Sequence, residues 1–398
     1  MSAIKMSLSI SFIVLFCACE PSPVVEINIS NKLDIARQNE TIEVDLSLLD
    51  NLLAVYSPEQ LMVKGSAGQE QVRSQLIDLD IDGKYDQLIF QCDIEAGESK
   101  QYMLHGVDQP DTMSVSSIST YGRFVPERID DFAWENDRVA FRTYGPRAQE
   151  ITESGAKGGT LSSGIDCWLK RVDYPIIDKW YKQDLEEGKS YHKDHGEGLD
   201  NYHVGDSRGT GGIGIWKDSV LHTSKNFESW RIIANGPIRT IFELDYGTWL
   251  ADSMQVDEIK RISIDLGSNL YKSTLLIANA DALPNVTLGI SMHDKKGESA
   301  YDISQGWFRY MEPQDDSYLS TAIVVNPALV KTYIENSVEA TDQSNLLVVC
   351  EPQKELTYYA GYAWAKSNQF EFPGAFDTYL ENFAARLASP LQVEMVKR

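Results

Sequence analysis

The chain has little cysteine, little histidine and too few positive charges for its length. Of 398 residues, five are Cys and six are His, and 36 Lys and Arg stand against 59 Asp and Glu, a net charge of −23. Such a surface repels phosphate backbones, which excludes nucleic acid as a partner, and it offers no polybasic anchor for a membrane surface. Beyond Cys17 and Cys19 only Cys92, Cys167 and Cys350 remain, too far apart for a disulfide framework or a CxxC-type metal site. A single Cys92–Cys350 or Cys167–Cys350 bridge stays open. There is no HExxH zinc motif and no P-loop, and serine-hydrolase, nucleotidase and dehydrogenase readings are weak. What is present is core material: 42% of the residues are hydrophobic, enough for two or three domains or one large β-assembly.

The N terminus reads as an export segment. Lys5 precedes the apolar run Ile10-Ser11-Phe12-Ile13-Val14-Leu15-Phe16, which ends in Cys17-Ala18-Cys19. The run is too short to span a membrane stably. A Cys directly after a small residue at the cleavage point is the bacterial lipoprotein pattern. Residues 1–18 are therefore expected to be a signal peptide, Cys19 an acylated first mature residue and 19–23 a tether. The protein is then anchored in a membrane and faces the periplasm or cell surface. The alternative is an ordinary secretory signal with an incidental Cys.

Most of the remaining chain alternates apolar and polar residues with period two. In 238–246, Ile238, Thr240, Phe242, Leu244 and Tyr246 share one face; 258–266 repeats the pattern, and Gly267-Ser268-Asn269 turns it into the return strand 270–278. Further strands are expected at 286–292, 320–325, 345–350 and 356–365. Helical spacing is confined to 178–187 and to 375–387, where Phe376, Tyr379, Leu380, Phe383 and Leu387 line one side. The pattern predicts a mainly β protein: a small N-terminal β-sandwich over 24–108, a polar linker at 109–119 and a large β-domain over 120–398. The long polar stretch 152–214 is expected to be a functional loop.

Three segments carry candidate chemistry. Asp78-Leu79-Asp80-Ile81-Asp82-Gly83 spaces carboxylates as a calcium loop does, but Ile89 stands where an EF-hand needs its bidentate Glu, so an Asp-Gly hairpin turn is the favoured reading. The run 121–147 mixes aromatics with carboxylates and arginines, a composition suited to sugars. Trp134 is expected there as a substrate platform, with core burial as its alternative; Tyr144 and Arg147 share one tight turn. Three of the six histidines, His192, His195 and His203, fall within twelve residues of a Gly-rich stretch that also holds Asp200, Tyr202 and Arg208. Histidine moves protons near neutral pH. No metal-ligand spacing is evident in this stretch.

The strings Val125-Pro126-Glu127-Arg128, Asp131-Phe132-Ala133-Trp134-Glu135-Asn136-Asp137, Tyr144-Gly145-Pro146 and His195-Gly196-Glu197-Gly198-Leu199-Asp200-Asn201-Tyr202 resemble the bacterial domain-of-unknown-function family 4861, as do Gly374-Ala375-Phe376-Asp377 and Ser389-Pro390-Leu391. The resemblance covers nearly the whole mature chain. It implies an exported protein of a polysaccharide-utilisation system with a galactose-mutarotase-like supersandwich as its large domain. One branch of that family, from ulvan degradation, acts as an oligosaccharide dehydratase. The expectation is elimination of water from a terminal uronic acid of an acidic oligosaccharide, with no cofactor. His195 and His203 with Tyr144 and Tyr202 would handle protons, while Arg147, Arg208, His192, Trp134 and Asp200 would hold the substrate. A polysaccharide lyase, a sugar epimerase or a non-catalytic glycan-binding lipoprotein are the alternatives; a binder needs exposed aromatics but no histidine cluster.

Overall fold

The computed structural model describes residues 23–65, 70–108 and 117–397. Cys19 and the signal segment lie outside the described residues, as does most of the expected linker.

Two antiparallel sheets form a small sandwich. Val24–Ser30 pairs with Ser99–Gly106, which continues to Leu61–Gly65, and the facing sheet runs Arg37–Asp45, Gln87–Ile94, Ser74–Ile77. Alternating Val25, Ile27 and Ile29 meet Val44, Leu88 and Phe90 in one apolar core. The last strand, Gln392–Lys397, pairs with Val24–Ser30. The last described strand thus joins the sandwich opened by the first, across the division expected between 24–108 and 120–398.

The rest of the chain is built on an eight-stranded antiparallel sheet. The long hairpin Arg239–Ala251 and Met254–Asp265 leads into Leu270–Ile277 and Glu355–Trp364. Met254–Asp265 buries every second side chain, so one face packs and the other stays polar. Two five-stranded sheets lie against it and share its core. One is centred on Ala140–Thr143, the other on Val286–Ser291. Helix Ala375–Ala388 buries Phe376, Leu380 and Ala384, four residues apart, against Trp307 and Val324. The architecture is predominantly β, in several antiparallel sheets.

The stretch 152–214 is not the continuous loop expected. It contains the strand Asp166–Lys170, helix Ile177–Glu187 and the first half of Thr210–Lys217. Cys92, Cys167 and Cys350 are all buried and free, so neither bridge forms. Residues 78–86 join two paired strands as a turn in which the Gly83 amide donates to Asp78 at 2.8 Å. Oxygens of Asp78, Asp80 and Asp86 lie there within 4.8 Å of one another.

Candidate active site

The sheet Tyr121–Val125, Asp131–Glu135, Ala140–Thr143, Asp166–Lys170, Gly198–Leu199 carries a concentration of charge that its apolar neighbours cannot explain. Every residue of its three central strands is buried. Arg142 stands in the middle. Its Nη2 donates to Asp166 at 2.6 Å and to Asp200 at 2.9 Å, its Nε to Asp166 at 3.1 Å and its Nη1 to the Tyr191 phenol at 3.3 Å; Asp131 lies 3.5 Å from Nη1. Tyr144 donates to Asp166 at 3.3 Å and Tyr181 to Asp131 at 3.1 Å. Trp168 lies beneath the guanidinium, 5.3 Å from ring centre to Cζ.

Three carboxylates thus surround one buried cation, and Arg128 also acts on Asp131 and Asp200 from the rim. Burial is the largest influence on each acid, and it wins. Asp131 and Asp200 are pushed up to about 6 against the pull of Arg142. Asp166 is pushed up to about 7, with repulsion from Asp200 adding to burial. Burial works against the Arg142 charge as well, but Asp200 and Asp166 outweigh it and keep the guanidinium protonated. Burial thus moves all three acids toward neutral pH, the direction a general acid requires.

Its rim is set by two strained or pinned segments. Ile129 and Asp130 both have left-handed backbones (φ 50° and 68°), an uncommon conformation for a β-branched residue, and they sit between Arg128 and Asp131. Arg128 donates Nε to Tyr191 at 3.2 Å and makes no ion pair among the described residues. Its terminal nitrogens are uncommitted there. On the other side the Asp200 amide donates to Tyr191 O at 2.8 Å, and Gly198 (φ 119°) lies so close to Leu169 that a Cβ would meet its carbonyl oxygen at 1.9 Å. This contact fixes the path that delivers Asp200. His192 Nδ1 lies 2.6 Å from the carbonyl oxygen of Asp200. A carbonyl only accepts, so Nδ1 donates to it, and Nε2 of the exposed ring is the nitrogen left to serve as a base.

Helix Ile177–Glu187 braces this arrangement. The buried Glu135 carboxylate accepts the Ile176 and Ile177 amides at 2.8 and 2.9 Å at the helix start, and Lys170 Nζ neutralises it at 2.7 Å. Trp180 and Tyr181 then pack on Trp168.

The structure brings together Tyr144, Asp200 and His192 of the residues expected from sequence. The others sit elsewhere. Trp134 is fully buried and stacked on Phe141, a core residue with no face free for a sugar. Arg208 is enclosed, donating to Ser163 at 2.9 Å and to Asp206 O at 3.1 Å, and burial pulls it down to about 10; no substrate carboxylate can reach it. Arg147 is exposed and paired with Glu150 at 2.8 Å. His195 is exposed and lies 3.1 Å from the Ser190 carbonyl. His203 is exposed near Asp342. Tyr202 is buried edge-to-face on His293, whose ring is held at 2.6 Å by Glu312. Arg142, Asp166, Asp131, Arg128 and Tyr191 were missed; an isolated charge inside an apolar strand, as in Phe141-Arg142-Thr143 and Ile165-Asp166-Cys167, was their signal.

Residues 205–214 also satisfy the spacings G-x-S-x-G and G-x-G-x-x-G, and the structure denies both their usual use. Ser207 is fully buried, bonded to the Val204 carbonyl and Ser291. Gly209 to Gly214 lead into a strand rather than a helix N-terminus.

The fold and this cluster define a β-rich scaffold of packed antiparallel sheets with a buried cluster of one arginine and three carboxylates at one sheet. Residues 29–393 match the family described as a domain of unknown function, DUF4861, and the chain belongs to that family. "Uncharacterized protein P7" of Formosa agariphila is 41% identical over 382 residues, 95% of each chain. Among solved structures, a protein in glycosyl hydrolase family 38 from Enterococcus faecalis superposes with a TM-score of 0.50 at 8% identity, over 94% of this chain and 47% of that one. An alpha-mannosidase from Enterococcus faecalis V583 gives 0.51 at 10% identity, over 94% and 46%. The chain spans about half the length of these two, and at such identity the likeness is one of fold.

Proposed function

We propose that the protein is a carbohydrate-active dehydratase that eliminates water from a terminal uronic acid of an oligosaccharide from ulvan or a related polysaccharide. The observation that carries this reading is the Asp131–Asp166–Asp200 cluster around Arg142, which holds a transferable proton beside an uncommitted arginine and an exposed imidazole. The C5 proton of a uronate lies next to a carboxylate. Its removal needs that carboxylate's charge neutralised and a base in reach, and the departing C4 hydroxyl needs a proton. Arg128 supplies two parallel donors for the carboxylate. His192 Nε2 takes the C5 proton. The C5–H electron pair becomes the C4–C5 double bond as the C4–O bond breaks. Tyr144 protonates the leaving oxygen and is recharged by Asp166, to which it is bonded. Water and a 4,5-unsaturated uronyl end are the products.

Within this reading the large domain is a galactose-mutarotase-like supersandwich, and the protein is a periplasmic or surface lipoprotein anchored through Cys19. Among the described residues no helix is long and apolar enough to cross a membrane.

The test is incubation with ulvan- and pectin-derived uronate oligosaccharides, following unsaturated-uronate absorbance and product mass. Loss of one water from an intact oligomer supports the dehydratase. Chain cleavage with an unsaturated end makes it a polysaccharide lyase instead, and no change in either readout sinks both.

A further inference from the structure

A cleft of about 690 Å³ lies away from the Arg142 cluster. It lies where the small sandwich meets the eight-stranded sheet and the C-terminal helix. The titratable groups decide where chemistry occurs, so this volume calls for a different use. Its size falls within the range of small-molecule and oligosaccharide sites.

The charges lining it do not balance. Glu40, Glu43 and Asp265 face the cleft, and all three are already paired. Arg239 binds Glu43 and Asp265 at 2.5 and 2.6 Å, and Arg386 binds Glu40 at 2.8 Å. Two further cations line it, Arg138 and Lys272, and neither makes an ion pair among the described residues. Arg138 reaches only Asn269, at 3.3 Å, and its Nε is buried without a hydrogen-bond partner. On a chain of net charge −23, two such cations in one cleft mark a site for an anion.

The walls specify the anion's body. Lys272 stands directly opposite Tyr359 in the sheet ladder, so both side chains share the face that forms the cleft floor. Tyr359 meets Phe383 edge-to-face at 5.0 Å. Arg386 lies over the Phe383 ring, 5.2 Å from Cζ to its centre, and the half-buried Tyr359 lines the cleft as a platform for the C–H face of a pyranose.

We infer that this cleft is a second glycan-binding site that takes an acidic oligosaccharide, with Arg138 and Lys272 on its carboxylate or sulfate groups and Tyr359 under a sugar ring. It stands independently of the proposed reaction.

The test titrates oligogalacturonates of four to six residues into the Arg128→Met protein, with and without Lys272→Glu, by calorimetry. Lys272 is exposed, so its replacement leaves the fold intact, checked by circular dichroism. Lys272→Glu should weaken binding roughly tenfold, the scale of one lost charge-assisted contact. Binding should also fall with added salt, and a neutral oligosaccharide of equal length should bind more weakly. Unchanged affinity on Lys272→Glu, equal binding of the neutral oligomer, or complete loss of binding in Arg128→Met alone would each overturn the inference.

Discussion

The buried carboxylates make stability depend on pH in an unusual direction. Paired surface acids are held low, and folding then gains as pH rises. Here burial lifts Asp166 from an ordinary 3.8 to about 7. The folded state therefore binds more protons than the unfolded chain between about pH 4 and pH 7, and stability contributed by this group is lost as pH rises through that window. From pH 5 to pH 8 the loss for Asp166 is about 3 kcal/mol, at about 1.4 kcal/mol per tenfold change in proton activity. Asp131 and Asp200, pushed up to about 6, act in the same direction. For a chain of 398 residues the melting temperature should drop by roughly 3 °C. Other titrating groups overlay this trend, so the measurement is a comparison with Asp166→Asn, which cannot titrate. Urea denaturation at pH 5, 6, 7 and 8 should show the variant gaining on the wild type by about 3 kcal/mol across the series. A wild-type-to-variant difference that stays constant with pH, or moves the other way, refutes the shared-proton cluster.

Further outcomes follow from the geometry. His192→Gln should lower kcat about a hundredfold, the scale of losing a general base, while His195→Ala and His203→Ala stay within about twofold; equal losses at all three histidines would contradict the assignment. Arg128→Lys should cost most of the turnover on a uronate with an unchanged melting temperature, since Lys cannot make the paired contact; full activity would remove Arg128 from the site. Lys170→Met should destabilise by about 3–5 kcal/mol, because it strands the Glu135 charge in the interior, and adding Glu135→Leu should recover part of that in a double-mutant cycle. Cys19→Ala should shift the protein out of the membrane fraction; a mature N terminus found downstream of residue 19 would show that Cys19 is no anchor.

The sheets were legible wherever a strand buries one face. Segment 258–266 alternates because its strand has a packed side and a polar side, and the structure runs strands through it and its partner 238–246, where Thr240 to Leu244 are buried on both faces and Ile241 packs with Ile77 and Ile89 of the small sandwich. Helix 375–387 was legible because Phe376 and Leu380 repeat at helical spacing against a sheet. Where that asymmetry fails, the pattern goes silent. Asp166–Lys170 is buried on both faces and has no alternation to read. Helix Pro146–Glu153 buries only Ala148, so no apolar stripe marks it. The terminal strand Gln392–Lys397 is almost wholly exposed, and its pairing with Val24–Ser30 rests on backbone bonds that leave no trace in side-chain chemistry.

The site was legible by scarcity and illegible in its detail for the same reason. Six histidines in 398 residues make a cluster of three conspicuous, and the cluster does mark the loop that carries Asp200 to Arg142. Spacing within a loop does not say which way each ring faces. Gly196 and Gly198, both with positive φ, turn the backbone between His195 and Asp200. His192 is thereby left against the Asp200 carbonyl and His195 against Ser190. The arginines were misassigned for a related reason. Arg208 was expected to hold substrate and Arg142 was not singled out, yet both are buried, and what separates them is company: Arg208 hydrogen-bonds only to a hydroxyl and carbonyls, whereas Arg142 meets three carboxylates. A buried guanidinium with neutral partners rigidifies a fold. One with more acids than it can neutralise leaves a proton to be shared, and it is that surplus, assembled from Asp131, Asp166 and Asp200 on three separate segments, that no local pattern could have shown.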